Sequence, residues 1–272
     1  MLRIKNYVKA KSLEEAYELN QKKSARILGG MVWMKMGNRN INTAIDLSGL
    51  GLDEITETDE EIVIGCMVSL RRLEMNDSLN QMTQGAVRES LRHIVGVQFR
   101  NCATVGGSIY GRFGFSDVLT MFLSLDSYVE LYHAGRIPLK EFVNRKKDRD
   151  ILVNVIVKKE NMCCAYESFR NSSTDFPVLA VSICLSEQGV RTAVGARPGR
   201  AVLLGDEKGL LTHYPEMTPD EKEKAAEQYG AFVRETVIFG GNMRASKEYR
   251  EYLSAVLVKR ALKTAGGTAN GH

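Results

Sequence analysis

Apolar positions recur along the chain at two spacings, and each spacing predicts an element. Ser12-Leu13-Glu14-Glu15 puts serine at an N-cap and glutamate three residues on, a capping box that opens a helix through about Asn20. Ala25-Arg26-Ile27-Leu28 reads as a short buried strand ending in Gly29-Gly30, and residues 31–37 after it are apolar and dense in methionine. Residues 43–47, 61–66 and 151–157 are further strands, the last rich in β-branched side chains. Between the first two, residues 56–61 form an acidic, solvated turn. Residues 69–74 start a short helix, and apolar positions 87, 91, 94 and 95 share one helical face within 84–94. The same spacing returns at 118, 119, 122 and 125, predicting a helix over 116–125 with Ser116 or Asp117 in its first turn. Residues 128–132 alternate as a strand, 138–143 form a helical turn, and the basic stretch 145–149 is a loop.

The apolar pattern breaks at Lys158-Lys159-Glu160-Asn161, which puts a domain boundary near 160 and gives domains over 1–160 and 161–265. Strands at 163–169, 177–185 and 190–196 open the second domain. Thr218-Pro219-Asp220-Glu221, a capping box with proline at N1, then starts a helix toward Phe232. Residues 246–265 form another helix, with Tyr249, Leu253, Val256, Leu257 and Leu262 on or near one face. Strands followed by helices predict an α+β second domain. Residues 266–272 read as a disordered tail.

Composition narrows the function classes. A net charge of +4 over 272 residues, with no basic run longer than three, argues against nucleic acid as a partner. The first residues hold no apolar signal segment and no run reaches the roughly 18 apolar residues of a membrane span, so a cytoplasmic chain is expected. The five cysteines, at 66, 102, 163, 164 and 184, are odd in number and lack C-x-x-C spacing, and the four histidines are scattered. Reduced thiols are therefore expected, with no disulfide framework, metal site or iron–sulfur cluster in this chain. Cys102 reads as a small buried filler. Cys163 and Cys164 read as strand neighbours on opposite faces.

Candidate chemistry lies in two glycine segments. Asn101-Cys102-Ala103-Thr104-Val105-Gly106-Gly107-Ser108-Ile109 reads as a loop whose glycines permit close backbone approach, with Asn101, Thr104 and Ser108 able to donate to an anionic oxygen. A glycine loop feeding a helix start favours phosphate, although a tight turn before a capped core helix fits the same residues. Upstream, Ile27-Leu28-Gly29-Gly30-Met31-Val32 empties a strand into a second glycine turn. Side by side, two such segments could wrap a pyrophosphate with backbone donors. Neither G-x-G-x-x-G after a strand nor G-x-x-x-x-G-K-[ST] is present, so nicotinamide-type Rossmann and P-loop readings fail.

These residues resemble the FAD-binding medium subunit of the molybdenum hydroxylases, the group that contains xanthine dehydrogenase, carbon monoxide dehydrogenase and nicotinate dehydrogenase. The family's Gly-Gly-Thr-Asp-like loop is matched by Gly29-Gly30-Met31-Val32, and its Asn-x-Ala-Thr-Val-Gly-Gly-Asn-Ile by residues 101–109 with Ser108 in the last Asn position. Asp117 follows at the family spacing, and Tyr166 through Arg170 leading to Asp175-Phe176-Pro177 is similar to a further family segment. Residues 246–262 are similar to its closing helix. The resemblance implies an α+β chain: an FAD-binding domain of the vanillyl-alcohol-oxidase (PCMH) type over 1–160, then a domain like that of the carbon monoxide dehydrogenase flavoprotein over 161–265. It implies that Leu28, Gly29, Gly30, Met31, Val32 and Trp33 lie along the FAD pyrophosphate, mostly through backbone N–H groups. Thr104 and Ser108 would donate to phosphate or ribitol oxygens, and Asn101, Gly106 and Gly107 would hold the segment's shape. Asp117 would accept from the adenine-side ribose hydroxyls, and Tyr110 is a candidate for packing near the isoalloxazine.

In such complexes a large molybdenum-cofactor subunit hydroxylates substrate, a small subunit with two [2Fe–2S] clusters relays electrons, and the FAD subunit passes them to NAD or another acceptor. The flavin carries the redox chemistry, so no catalytic side chain is nominated. Met31-Val32 replaces a polar pair, Gly111-Arg112-Phe113-Gly114-Phe115 replaces the family's usual small-residue segment, and Glu167-Ser168 stands where many relatives carry lysine. Arg112 reads as solvated or as reaching a phosphate; Trp33 as stacking near the flavin or as core. Two alternatives stay open beside the electron-transfer subunit: a stand-alone flavin oxidoreductase, and a non-catalytic assembly subunit that has lost FAD.

Overall fold

The computed structural model describes residues 1–267. The chain forms β1 (Arg3–Lys9), α1 (Leu13–Asn20), β2 (Ala25–Leu28), β3 (Asn40–Asp46), β4 (Ile55–Glu57), β5 (Glu61–Gly65), α2 (Leu70–Glu74), α3 (Asp77–Met82) and α4 (Ala86–Arg92). Next come α5 (Val97–Cys102), α6 (Val105–Tyr110), α7 (Asp117–Leu123), β6 (Ser127–Leu131), β7 (Gly135–Pro138), α8 (Leu139–Asn144) and β8 (Leu152–Lys158). The last elements are β9 (Met162–Phe169), β10 (Leu179–Ser186), β11 (Gly189–Gly195), β12 (Val202–Leu204), α9 (Pro219–Thr236) and α10 (Lys247–Gly266). Two compact units share the chain. One comprises Met1–Leu73, Gly96–Gly111 and Ser127–Lys158; the other Glu74–Val95, Arg112–Asp126 and the chain from Lys159 onward.

The first unit holds two sheets. β1, β3 and β2 form a parallel sheet with β3 in the middle. Lys9, Asp46 and Leu28 pair across its carboxyl edge, so Gly29-Gly30 leaves the sheet at the end where parallel sheets place ligands. The side chain of Ser12 caps α1 by accepting from the Glu15 amide, but Glu15 returns its bond to the Lys11 amide, so the expected capping box closes one residue early. The second sheet is antiparallel, in the order β4-β5-β8-β6-β7. Here the expected acidic turn at 56–61 is partly strand, because Ile55, Thr56 and Glu57 pair with Ile64, Val63 and Ile62.

The second unit is an antiparallel sheet, β12-β11-β10-β9, with helices on both faces. Alternation along β10 turns Leu179, Val181, Ile183 and Leu185 into a core shared with α9 and α10. Ser182 turns the other way and its Oγ lies 2.6 Å from that of Ser124, just past α7. Every residue of α7 is buried. The helix approaches β11 so closely that a Cβ on Gly195 would stand 2.0 Å from Thr120 Oγ1. Ser116 caps α7 by accepting from the Leu119 amide, as the apolar spacing led one to expect. The capping box at Thr218 and Glu221 is complete in both directions. α10 runs through Gly266; residues 268–272 of the expected disordered tail lie outside the described residues.

Candidate cofactor site

The two glycine segments come together in the first unit, and glycine is what allows it. A Cβ on Gly30 would stand 1.8 Å from Cys102 O and 2.9 Å from Ala103 Cα, and one on Gly29 would stand 2.7 Å from Thr104 Oγ1. No side chain fits in that gap, so the turn after β2 lies with its backbone directly against residues 102–104. Met31 follows with φ of +59°, a left-handed conformation that a glycine would adopt more readily. It is held there by contact with the cluster of Leu28, Ile41 and Ala44. Trp33 is 43% exposed, so it does not serve as core filler. Among the described residues, the amides of residues 29–32 have no main-chain acceptor.

The second segment is not the loop that its glycines suggested. α5 ends at Cys102, the chain extends at Ala103, and α6 begins at once, so Gly106 and Gly107 sit in the first turn of a helix. Thr104 is the reason. Its φ of −110° and ψ of 153° are those of an N-cap, and its Oγ1 accepts from the Gly107 amide at 3.2 Å. The other first-turn amides are also used within the protein: Val105 donates to Val68 O, Gly106 to Cys66 O and Ser108 to Thr104 O. Gly106 must be glycine because a Cβ would meet Cys66 O at 2.7 Å. As an acceptor from Gly107, Thr104 keeps its own hydroxyl proton to donate, beside Gly29. The Ser108 hydroxyl donates to Thr104 O at 3.0 Å, and Asn101 is exposed on the last turn of α5. Tyr110 Oη is within 3.2 Å of Asp148 O, Asp148 Oδ1 and Asp150 O, and its ring tilts against Phe142.

Asp117 belongs to the second unit, where it is buried at the start of α7. Tyr166 Oη and Arg170 Nη2 both donate to its Oδ1 at 2.5 Å. Burial pushes the Asp117 carboxyl upward, with Arg170 and Tyr166 acting against that shift, and burial also drives the Tyr166 phenol well up. Arg170 further donates to Asp175 O, and Asp175 in turn holds Arg244, whose guanidinium lies 4.9 Å from the Phe176 ring centre. The spacing of Tyr166 and Arg170 carries a signal for this contact, since positions four apart in extended chain share a face. Three expectations are corrected. Cys102 is exposed rather than a buried filler, because α5 ends there and turns its side chain outward. Arg112 is 4% exposed rather than solvated. Trp33, noted above, is not core.

Residues 2–159 match the family of FAD binding domains in molybdopterin dehydrogenase, and the chain belongs to that family. FAD is accordingly its cofactor. Over 265 residues it is 26% identical to the uncharacterized protein YgfM of Escherichia coli (strain K12), with 94% of each chain covered. It is 25% identical to the nicotine 6-hydroxylase medium subunit of Paenarthrobacter nicotinovorans, with 96% of each covered. The fold matches a chain of the cyanide-inactivated Cu,Mo-CO dehydrogenase at a TM-score of 0.84, with 20% identity, covering 98% of this chain and 99% of that one. The α+β class read from the sequence is thus the observed one. No helix among the described residues is long and apolar enough to cross a membrane.

The first unit suits FAD on its own geometry. A pyrophosphate needs several donors and no bulk near it. Residues 29–32 offer amides without main-chain acceptors, in a turn whose backbone lies directly against residues 102–104. Met31 and Val32 add no side-chain donors and leave those amides in place.

Proposed function

We propose that this chain is the electron-transferring FAD subunit of a molybdenum hydroxylase complex in the cytoplasm. It takes electrons from the [2Fe–2S] clusters of a small partner subunit, which receives them from a large molybdenum-cofactor subunit, and passes them to NAD or another acceptor. The observation that carries this reading is the contact of Gly29-Gly30 with residues 102–104, beside the amides of residues 29–32. Bound FAD supplies the redox chemistry by taking up and releasing electrons at its isoalloxazine. The chain's residues bind and orient it. Amides from Leu28 to Trp33 hold the pyrophosphate, Thr104 donates its hydroxyl proton, Ser108, whose proton goes to Thr104 O, offers only its oxygen, and Asn101, Gly106 and Gly107 fix the second segment. The role of Asp117 as acceptor for the ribose hydroxyls is carried over from the family resemblance.

Two features support partners. No cysteine cluster for a relay is present in the sequence, and the nicotine 6-hydroxylase medium subunit, similar over 96% of each chain, is by name a medium subunit. The test is the visible spectrum of the purified chain after incubation with FAD and gel filtration. Retained flavin near one per chain, weakened by Asp117→Ala, supports the reading. Flavin absent both here and in the complex isolated from the native cell overturns it. Sustained dye reduction with NADH by the isolated chain would favour the stand-alone oxidoreductase instead.

A further inference from the structure

A row of three side chains crosses the sheet of the second unit on the face opposite its main core. Cys164 on β9 pairs directly with Cys184 on β10, and Cys184 pairs directly with Arg191 on β11. Residues directly opposite in antiparallel strands have Cα atoms about 4.5 or 5.5 Å apart, and both values fall inside the roughly 4.4–6.8 Å span of a disulfide. The adjacent Cys163 points to the other face and packs against the core of α9 and α10, so it cannot enter this pair. Arg191 Nη2 donates to Cys184 Sγ at 3.3 Å, and Met162 Sδ is 3.4 Å from the same sulfur. Arg191 is itself anchored by Ser124 O and by Glu160.

We infer that Cys164 and Cys184 form a reversible dithiol–disulfide site that reacts with hydroperoxides, with Cys184 as the attacking thiolate and Cys164 as the resolving thiol. The cationic donor on Cys184 stabilises its thiolate, while among the described residues no cation hydrogen-bonds Cys164. The two thiols are accordingly shifted apart. The Cys184 thiol is pulled down by its hydrogen bond with Cys164 and by Arg191, whereas the same hydrogen bond and burial push Cys164 up. Both sulfurs are buried, and β9, which carries Cys164, is the edge strand, so a small oxidant reaches the pair by local opening of that edge.

The chemistry balances in two steps. The Cys184 thiolate attacks the distal oxygen of the hydroperoxide; an S–O bond forms, the O–O bond breaks, and the alcohol or water leaves with one proton. The Cys164 sulfur then attacks the sulfenic sulfur; the S–S bond forms, the S–O bond breaks, and water leaves with the Cys164 proton. Two thiols lose two electrons and the peroxide gains them. A dithiol reductant reverses the change by exchange and is itself oxidised to its disulfide.

The experiment exposes the folded full-length chain to hydrogen peroxide, alkylates free thiols under denaturing conditions, and maps peptides by mass spectrometry. The expected product is one bridge joining the peptides of Cys164 and Cys184, lighter by two hydrogens and restored by dithiothreitol. Arg191→Met should slow its formation by about three- to fourfold for each unit by which the Cys184 pKa rises, the tenfold loss of thiolate being partly offset by about threefold greater nucleophilicity. Cys164→Ser, nearly the same size as the native residue, should leave a sulfenic acid on Cys184 that dimedone traps. Three results would overturn the inference: no such bridge in folded protein, a bridge that appears only once the chain is unfolded, or dimedone on Cys164 in a Cys184→Ser variant but none on Cys184 in Cys164→Ser.

Discussion

Gly30→Ala isolates the contact between the two glycine segments. The added methyl would begin 1.8 Å from Cys102 O, 2.5 Å from Cys102 C and 2.9 Å from Ala103 Cα, all main-chain atoms that cannot rotate away. An ordinary carbon contact needs about 3.5 Å, so the segments must part by about 1.7 Å. Overpacking of this kind costs about 1–3 kcal/mol, and in a chain of this size each kcal/mol lowers Tm by about 2–4 °C. Parting by that distance takes an amide outside the roughly 2.7–3.2 Å range of a hydrogen bond. Losing one bond to a charged oxygen costs about 1.5–3 kcal/mol, or about 10- to 150-fold in Kd for FAD. Thermal unfolding and FAD titration, the latter run well below the variant's Tm, read the two effects separately. Gly37→Ala is the control, since its Cβ would meet nothing nearer than Met34 O at 3.4 Å and its φ of −85° suits alanine. If Gly30→Ala melts and binds FAD like the parent, the close contact is refuted. A lower Tm with unchanged Kd would keep the contact and refute its role in binding.

Arg250 is fully buried and donates to Val178 O, Gly240 O, Ala245 O and Asn242 Oδ1. Arg250→Met strands the buried Val178 carbonyl and two half-buried ones and should lower stability by about 1–3 kcal/mol in urea unfolding; a loss under about 0.5 kcal/mol would refute the clamp. Lys158 and then Arg136 hold the Glu61 carboxyl below its ordinary range. Its contribution is therefore present above the unfolded value of about 4.3 and lost as pH falls through the folded value. Stability curves of the parent and Glu61→Gln should differ above that pH and converge in stronger acid, and parallel curves throughout would sink the assignment. Burial pushes the Cys66 thiol up to about 12, while Cys102 is exposed. Iodoacetamide at pH about 8 should label Cys102 and spare Cys66 in the folded chain; equal labelling would show that the carbonyl ledge under Gly106 is open.

Legibility in the sequence followed the physics of each element. The starts of four helices with a side-chain cap could be read to within a residue or two, at Ser12, Ser116, Thr218 and Ser246, whereas the caps at Asn76 and Thr104 went unread. β1 gave no signal because only Val8 among its seven residues is even half-buried, so no alternation marks it. The facing of β10 was hidden for the opposite reason, with apolar or small side chains on both faces. The segment 101–109 misled because adjacent glycines read as a loop, whereas a Thr104 cap and a neighbouring carbonyl at Cys66 make them helical. The placing of α4 and α7 in the second unit depends on contacts with β9, β10 and β11 that no local pattern carries.

That misreading changes what each glycine pair does. Both pairs looked like backbone donors for an anion, yet the amides at the start of α6 are taken by Val68 O, Cys66 O, Thr104 O and Thr104 Oγ1. Residues 29–32, with no helix to absorb them, keep their amides available. The work is therefore divided. In the proposed site the first pair supplies donors, and the second supplies a surface close enough to shape the first, plus one hydroxyl proton at Thr104. Met31-Val32 after Gly30 offers no side-chain donors, but it lies in the segment with main-chain donors to spare. A change at Thr104 has no such reserve: Thr104→Val deletes the cap of α6 and the hydroxyl beside Gly29 together. It should weaken FAD binding more than Ser108→Ala, and a reversed order of Kd values would return the donor role to the second pair.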